Sequence, residues 1–139
     1  GDVQLEGDLH FSAAHGLQRS CLTVNKNLNV TGKIRIQNCH NQNKDRKLKR
    51  GGGLYVHKQL SQHGGTMEFH NCSSSGPGGG LFIVKQLSQH GGTMEFHNCS
   101  SSKGGGQYVS EQLSQHGGSM QFHSCSSKEG GGGMRVLVL

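Results

Sequence analysis

The stretch KQLSQHGGTMEFHNCSSS occupies residues 58–75 and recurs letter for letter at residues 85–102. An edited copy, EQLSQHGGSMQFHSCSS, occupies residues 111–127. Repetition at a fixed period is typical of proteins built from stacked structural units, each of which contacts only its neighbours. This stretch therefore decides the fold of the chain, and the rest of the sequence is best interpreted by alignment to it.

Glycine triplets set the period, because their first residues (Gly51, Gly78, Gly104 and Gly131) lie 27, 26 and 27 residues apart. The N-terminal third carries worn copies: CLTVNKNL aligns with GLYVHKQL, GKIRIQNC with GTMEFHNC, and GDLHF with GTMEF. We therefore assign residues 1–139 to a single domain. It comprises degenerate coils at 1–50 with a basic insertion at 40–50, clear coils at 51–77, 78–103 and 104–130, and the start of a further coil at 131–139.

Short apolar runs within each copy alternate with polar residues. Met67 and Phe69 alternate with Glu68 and His70, which is the period-two pattern of a strand with one buried face. Each copy predicts three strands, around LYV, QLS and TMEFHNC, with a corner at the glycine triplet and a turn at the serine run. The sequence thus predicts an all-β protein, a parallel β-helix of about four to five coils spaced ~4.8 Å apart.

Stacking turns each position of the repeat into a column of side chains. The predicted inner columns are Leu28, Leu60, Leu87 and Leu113; Ile36, Phe69, Phe96 and Phe122; and Cys39, Cys72, Cys99 and Cys125. Cys21, the fifth cysteine, falls at a glycine position outside the cysteine column. We predict buried free thiols in that column, because in-register parallel strands aim neighbouring side chains the same way, which is unfavourable for a disulfide dihedral. A disulfide is the alternative.

Histidine forms two further columns, one in the HGG turn and one on the outer face of the third strand: His63, His90 and His116; and His70, His97 and His123. Glu68, Glu95 and Gln121 flank the second column. Stacked imidazoles beside carboxylates can hold Zn²⁺ or Cu²⁺. A repeat, however, copies every residue whether it is used or not. We interpret both columns as solvent-facing and expect neither a metal nor another cofactor.

The basic loop is the strongest departure from the repeat. Eleven residues lie between Cys39 and Gly51, whereas five lie between Cys72 and Gly78. The insertion contains KDRKLKR, which supplies much of the formal charge of +6. Insertions in solenoids often carry the contact to a partner. We predict a partner-binding site at Lys44, Arg46, Lys47, Lys49 and Arg50. A solvated flexible loop is the alternative interpretation.

A Gly-Gly-Gly-Leu motif at residues 51–54 and 78–81 alternates with a Phe-x-Asn-Cys motif at residues 69–72 and 96–99. This pair of motifs resembles the repeats of chlamydial polymorphic outer-membrane proteins, and similar arrays occur in long proteins of protists and algae. The resemblance implies a right-handed β-helix, and for function it implies an adhesive surface protein. Phe122-His123-Ser124 departs from the Asn of the motif, so the resemblance specifies the role of that position less well in the third copy.

Enzymes on β-helices require acidic residues clustered on neighbouring coils, but the three Asp (Asp2, Asp8 and Asp45) lie outside the clear copies. We therefore expect a non-catalytic structural or scaffold protein that docks to partners, or a part of a larger surface or adhesive protein. The alternative is an accessory subunit of a multiprotein, organellar complex anchored by the basic loop. A carbohydrate-active enzyme is the least favoured interpretation.

Protein partners are expected at the basic loop and at the apolar C-terminal end, MRVLVL. An acidic glycan is a further candidate ligand. Nucleic acid is disfavoured, because the basic loop lacks interleaved aromatic residues for base stacking. No stretch reaches the ~20 apolar residues of a transmembrane helix. An extracellular or cell-surface location is favoured over an organelle lumen or a membrane-associated complex.

Overall fold

The computed structural model describes residues 2–12, 19–46 and 48–136, and within these ranges the chain is all-β. No helix in the described residues is long and apolar enough to cross a membrane. The strands, in chain order, are β1 (Val3–Leu5), β2 (Asp8–Ser12), β3 (Leu22–Val24), β4 (Leu28–Val30), β5 (Lys33–Gln37), β6 (His40–Asn41), β7 (Leu54–Val56), β8 (Gln59–Gln62), β9 (Thr66–His70), β10 (Ser73–Ser74), β11 (Leu81–Ile83), β12 (Gln86–Gln89), β13 (Thr93–His97), β14 (Ser100–Ser101), β15 (Gln107–Val109), β16 (Gln112–Gln115), β17 (Ser119–His123), β18 (Ser126–Ser127) and β19 (Met134–Val136).

The strands form parallel sheets that run along a β-solenoid, which confirms the predicted fold class. The first sheet has the order β1-β4-β8-β12-β16, the second β2-β5-β9-β13-β17, and the third β3-β7-β11-β15-β19. A four-stranded fourth sheet has the order β6-β10-β14-β18. Each complete coil therefore gives one strand to each sheet, and every strand pairs with its equivalent in the next coil.

The pairing register confirms the alignment of the worn N-terminal copies. Leu22 pairs with Leu54 in the third sheet, and Ile34 pairs with both Leu9 and Met67 in the second. The 31 residues between Leu28 and its partner Leu60 include the basic insertion, yet the register is unchanged. Side-chain columns continue through the worn coils because the buried face of each strand fixes its register.

The prediction of three strands per coil was wrong, because the serine run is a strand. Ser73 pairs with both His40 and Ser100, so the serines of successive coils form the fourth sheet. Serine by itself favours turns. Here the stack places one serine pair above another, and the amide of Ser100 donates to the carbonyl oxygen of Cys72 at 3.0 Å. Coil-to-coil pairing outweighs the local preference.

The predicted inner columns form the core. Leu60, Leu87, Phe69 and Phe96 are fully buried, and the rings of Phe69 and Phe96 stack with centroids 4.8 Å apart. This spacing matches the distance between parallel strands. A low content of apolar residues therefore suffices to form a core, since each coil buries few residues but the columns are continuous.

A buried column of glutamines was not predicted. Gln62 and Gln89 are fully buried at the ends of β8 and β12. The Gln89 amide Nε2 donates to Gln62 Oε1 at 2.9 Å, and Gln115 Nε2 donates to Gln89 Oε1 at 2.8 Å. Such amide ladders satisfy buried polar groups along a stack of identical strands. The QLSQ segment is thus held by side-chain as well as backbone hydrogen bonds.

The corners have the backbone geometry expected from the sequence. Gly78, which begins a glycine triplet, has φ of 75°. At Gly79, an added Cβ would overlap the carbonyl oxygen of Gly105 in the next coil. The opposite corner uses Asn71 and Asn98, both with φ of 55°, and Ser124 adopts φ of 54° although it lacks the Asn side chain that favours this region.

Candidate docking site

The basic loop, residues 42–50, leaves β6 and returns the chain to the first clear coil. Of the residues predicted to bind a partner, Lys44 and Arg46 are exposed, and Lys49 and Arg50 are partly buried. Lys47 lies outside the described residues. The structure therefore places four of the five predicted cations on the segment between β6 and β7.

Backbone hydrogen bonds give this loop a defined turn. The amides of Leu48 and Lys49 both donate to the carbonyl oxygen of Asp45 at 3.0 Å. The side-chain amide of Asn41, a buried residue of β6, donates to the carbonyl oxygen of Leu48 at 2.8 Å. The polar backbone of the turn is thus satisfied from within the fold.

Two serines of neighbouring coils fix the end of the loop. Ser74 Oγ donates to the carbonyl oxygen of Lys49 at 2.7 Å, and Ser20 Oγ donates to that of Arg50 at 3.0 Å. The Arg50 guanidinium carbon lies 5.3 Å from the centroid of the Phe82 ring, within the range of a cation–π contact. The described part of the loop is therefore held against the repeats rather than free in solvent.

A groove with a volume of about 410 Å³ runs between the loop and the later coils. Its cations come from the loop and from Lys103, whose Nζ lies 3.4 Å from Glu129 Oε2. The lining residues are Arg46, Lys49, Arg50, Pro77, Ser102, Lys103 and Glu129. The groove joins the inserted loop to two repeat coils and presents positive charge to solvent.

Sequence reasoning missed two residues of this region. Leu48, in the middle of the cations, is 54% exposed and is the one large hydrophobic side chain left exposed among the described residues. Lys103 aligns with Pro77 of the preceding coil and with Arg50 of the loop, so a second cation at the position before the glycine triplet was the available signal. For Leu48 the available signal was an apolar residue among the cations of KDRKLKR. This insertion adds no strand to the core, so an apolar side chain within it has no core position to fill.

The two histidine columns differ in their exposure. His63, His90 and His116 are exposed, and their stacked rings have centroids 5.1 and 5.3 Å apart. The second column also reaches solvent, but His70 and His97 are partly buried and only His123 is exposed.

Carboxylates lie beside the second column, as the alignment predicts. Glu95 Oε1 is 4.0 Å from His97 Nε2, and the His97 and His123 rings stack with centroids 4.6 Å apart. Burial, followed by Arg35 and His97, lowers the pKa of His70. A neutral imidazole is therefore the favoured state of His70 near pH 7.

The cysteine column differs from the prediction at its N-terminal end, where Cys39 forms a disulfide with Cys21. The prediction of a free thiol at Cys39 was wrong. Cys21 occupies the position of Gly53, one residue before the paired Leu22 and Leu54, and this position faces the inside of the coil. The bond therefore joins two sides of one coil, whereas the sequence argument considered only neighbours in the stack.

Cys72, Cys99 and Cys125 are free thiols, as predicted. Hydrogen bonding with Cys99 lowers the pKa of Cys72. The pKa of Cys99 is raised to about 12: hydrogen bonding with Cys125 lowers it, but the hydrogen bond with Cys72 and burial outweigh that effect. A buried Cys99 stays protonated and acts as a small apolar side chain.

The predicted partner site at the C-terminal end falls only partly within the described residues. Met134–Val136 forms β19, which pairs in parallel with β15 of the preceding coil. The last residues, 137–139, lie outside the described part of the chain. Comparison with family models, curated proteins and solved structures finds no match for this sequence.

Proposed function

We propose that this chain is a non-catalytic scaffold whose basic loop docks onto an acidic surface of a partner protein. The observation that carries the proposal is Leu48, an exposed apolar side chain surrounded by cations on a loop that the fold holds in place. An apolar anchor within a charged rim is the usual anatomy of a protein docking site.

The fixed shape of the loop supports docking over a purely solvated role. A partner that binds a loop already held by Asn41, Ser74 and Ser20 loses little conformational entropy. The cations of the groove would attract an acidic partner and increase its association rate. An acidic glycan is the second candidate ligand, favoured by the positive charge alone and not by Leu48.

The test compares charge reversal in the loop with charge reversal elsewhere. One variant carries Lys44→Glu, Arg46→Glu, Lys49→Glu and Arg50→Glu. The matched control carries Lys26→Glu, Lys33→Glu, Lys58→Glu and Lys85→Glu, four exposed lysines outside the loop, so both variants have the same net charge. Binding is measured by fluorescence anisotropy with two probes, heparin and an acidic peptide that carries leucines among glutamates.

The loop variant should lose binding to the peptide, whereas the control variant should retain most of it. Leu48→Ala should weaken the peptide more than heparin, because only the peptide has an apolar surface for this side chain. Equal losses in the two charge variants would refute a docking site at the loop. Retained peptide binding in Leu48→Ala, with strong heparin binding, would favour the glycan instead.

The non-catalytic part of the proposal is supported by the periodicity of the surface. An active site requires a non-periodic set of groups around a substrate, whereas Glu68 and Glu95 are equivalent members of one repeated column. Asp8 lies in β2 and Asp45 in the basic loop, so neither joins that column. Hydrolysis or eliminative cleavage of an acidic polysaccharide by the purified chain would refute this part.

The Cys21–Cys39 disulfide supports a location outside reducing compartments, either at the cell surface or in an organelle lumen. We propose the extracellular location. Alkylation of native material before and after reduction tests the redox state of the pair. Three reactive cysteines before reduction under denaturing conditions, and five after it, are expected; five before reduction would contradict the proposal.

A further inference from the structure

The outer face of the second sheet carries a Glu-x-His pair in two successive strands, β9 and β13, followed by Gln121 and His123 in β17. The potential ligand atoms of Glu95, His97 and His123 all lie within 4.8 Å of one another. Of these atoms, His97 Nε2 and Glu95 Oε1 are 4.0 Å apart. The fold thus brings two imidazoles and one carboxylate from adjacent coils to one place.

The same column contains polar atoms that the protein does not satisfy. Glu68 Oε2 and His70 Nε2 are buried without a hydrogen-bond partner. A buried polar atom without a partner is destabilising, and more so when the group is charged. A cation beside this column would supply the missing electrostatic partner to the carboxylates.

We propose that Glu95, His97 and His123 bind one divalent first-row transition metal ion, represented by Zn²⁺. Two imidazole nitrogens and one carboxylate oxygen form a donor set that zinc accepts, with a fourth position left for water. Magnesium and calcium are excluded by the same argument, because they prefer sites made of oxygen ligands. Among the described residues, only this group brings three such ligand atoms together, so one ion per chain is expected.

Binding requires a small rearrangement of the stacked rings. The His97 and His123 centroids are 4.6 Å apart and the stacked rings are nearly parallel, at 5°. Tetrahedral zinc with bonds of ~2.0–2.1 Å holds its ligand nitrogens roughly 3.4 Å apart. The two rings must therefore tilt towards each other, which exposed or half-buried side chains can do by rotation about χ1 and χ2. The bound ion would link β13 to β17.

The exposed histidine column provides an internal control. His63, His90 and His116 stack at similar distances, but the repeat places glutamine and glycine beside them rather than glutamate. A surface that bound metal only because it is rich in histidine would use both columns. A site built from Glu95, His97 and His123 would use the second column alone.

The test is isothermal titration calorimetry of the full 139-residue chain with ZnCl₂ at pH 7.5, with no affinity tag. One ion per chain should bind, and MgCl₂ should give no binding heat. His97→Gln should lower the zinc affinity more than about tenfold, since even the loss of an outer-shell partner costs ~10–100-fold. Glu95→Gln, which copies the Gln121 of the next coil, should weaken binding, and the control His90→Gln should leave it unchanged.

Thermal unfolding with and without zinc gives a second readout that does not depend on heats of binding. Zinc should raise the Tm of the wild type and of His90→Gln, but not that of His97→Gln. Circular dichroism of each variant without metal establishes that it is folded. Equal weakening by His90→Gln and His97→Gln, unchanged affinity in Glu95→Gln, or no saturable zinc binding would each overturn the proposal.

Discussion

The clear coils and the coil before them have the same shape but are closed in different ways. In the clear coils, glycine stands at the inner corner, and an added Cβ at Gly80 would press on the Phe96 ring. In the preceding coil, Cys21 stands at this corner and is bonded to Cys39. In this coil Ile36 takes the place of the phenylalanine in the aromatic column. The aromatic ring that leaves no room for a side chain at the corner of a clear coil is therefore absent.

This difference shows that the repeated coils and the variant coil are stabilised by different means. The glycine corners depend on close contact with the next coil, so the clear copies must keep glycine and must stay in register. The disulfide closes one coil by itself. The basic insertion follows directly after Cys39, in the one described coil that has covalent closure. A coil closed from within can carry an insertion without loss of register.

The largest effect is expected from a side chain at the middle residue of a glycine triplet. In Gly79→Ala the Cβ would overlap carbonyl oxygens of Gly105 and Ser100, which are both backbone atoms and cannot rotate away. A loss of more than about 4 kcal/mol in the free energy of unfolding is expected, measured by urea denaturation. Gly64→Ala is the matched control, because nothing lies within 4 Å of its Cβ. Similar stabilities of the two variants would contradict the close approach of the coils.

Loss of the disulfide should have the next largest effect. Cys21→Ser leaves Cys39 as a free thiol, the state of Cys72 in the next coil. The two cysteines are 18 residues apart, and a loop of this size is worth about 3 kcal/mol. Hydrogen exchange should show faster exchange in β3–β5 than in β12 and β13. The control Cys125→Ser removes a thiol that closes no loop, and an equal, uniform loss of protection in both variants would contradict local closure.

A smaller and stabilising effect is expected from replacing Gln107, a polar residue where the neighbouring clear coils have leucine. Gln107 is fully buried in the column of Leu54 and Leu81, and its Oε1 has no hydrogen-bond partner. Gln107→Leu should raise the free energy of unfolding by about 1 kcal/mol or more, since an unsatisfied buried group costs ~1–3 kcal/mol. Gln89→Leu is the control, because both amide atoms of Gln89 are bonded and its loss should destabilise. Destabilisation by both substitutions would show that Gln107 is satisfied.

The smallest effect concerns pH and the half-buried histidine column. The pKa of His70 is lowered below its ordinary value of 6.5, first by burial and then by Arg35. Protonation therefore favours the unfolded chain, so stability is retained above pH 6.5 and falls as the pH drops below that value. Unfolding by urea at pH 7.5 and 5.5 should show a smaller acid loss in His70→Gln and in Arg35→Gln than in the wild type. An unchanged loss in both variants would contradict this origin.

The sequence was sufficient for most of the fold because the repeat makes register visible. The columns of leucine, phenylalanine and cysteine, the corners at the glycine triplets and the worn coils all follow from alignment. The serine strands were missed because Ser73 and Ser100 have a turn preference that only the stack overrides. The Cys21–Cys39 bond was missed because it runs across a coil, and the alignment gives neighbours along the stack but not distances across it.

The candidate docking site was predictable in position but not in form. The insertion and its cations were visible as a break in the period. The hydrogen bonds from Asn41 and Ser74 that shape the loop depend on the fourth sheet, which the alignment did not predict. The contribution of Lys103 depends on how the loop folds over the next coil, and the partial burial of His97 depends on side-chain packing.

The central claim is that residues one period apart are hydrogen-bonded neighbours, in the worn coil as well as in the clear ones. Scalar couplings across hydrogen bonds, measured by NMR on uniformly ¹⁵N,¹³C-labelled protein, test it most directly. The His57 amide should couple to the Val24 carbonyl carbon, and the His63 amide to that of Val30, because these hydrogen bonds are 2.9 and 3.0 Å long. Couplings from His57 and His63 to carbonyls only a few residues away in sequence would indicate hairpins and would contradict the solenoid.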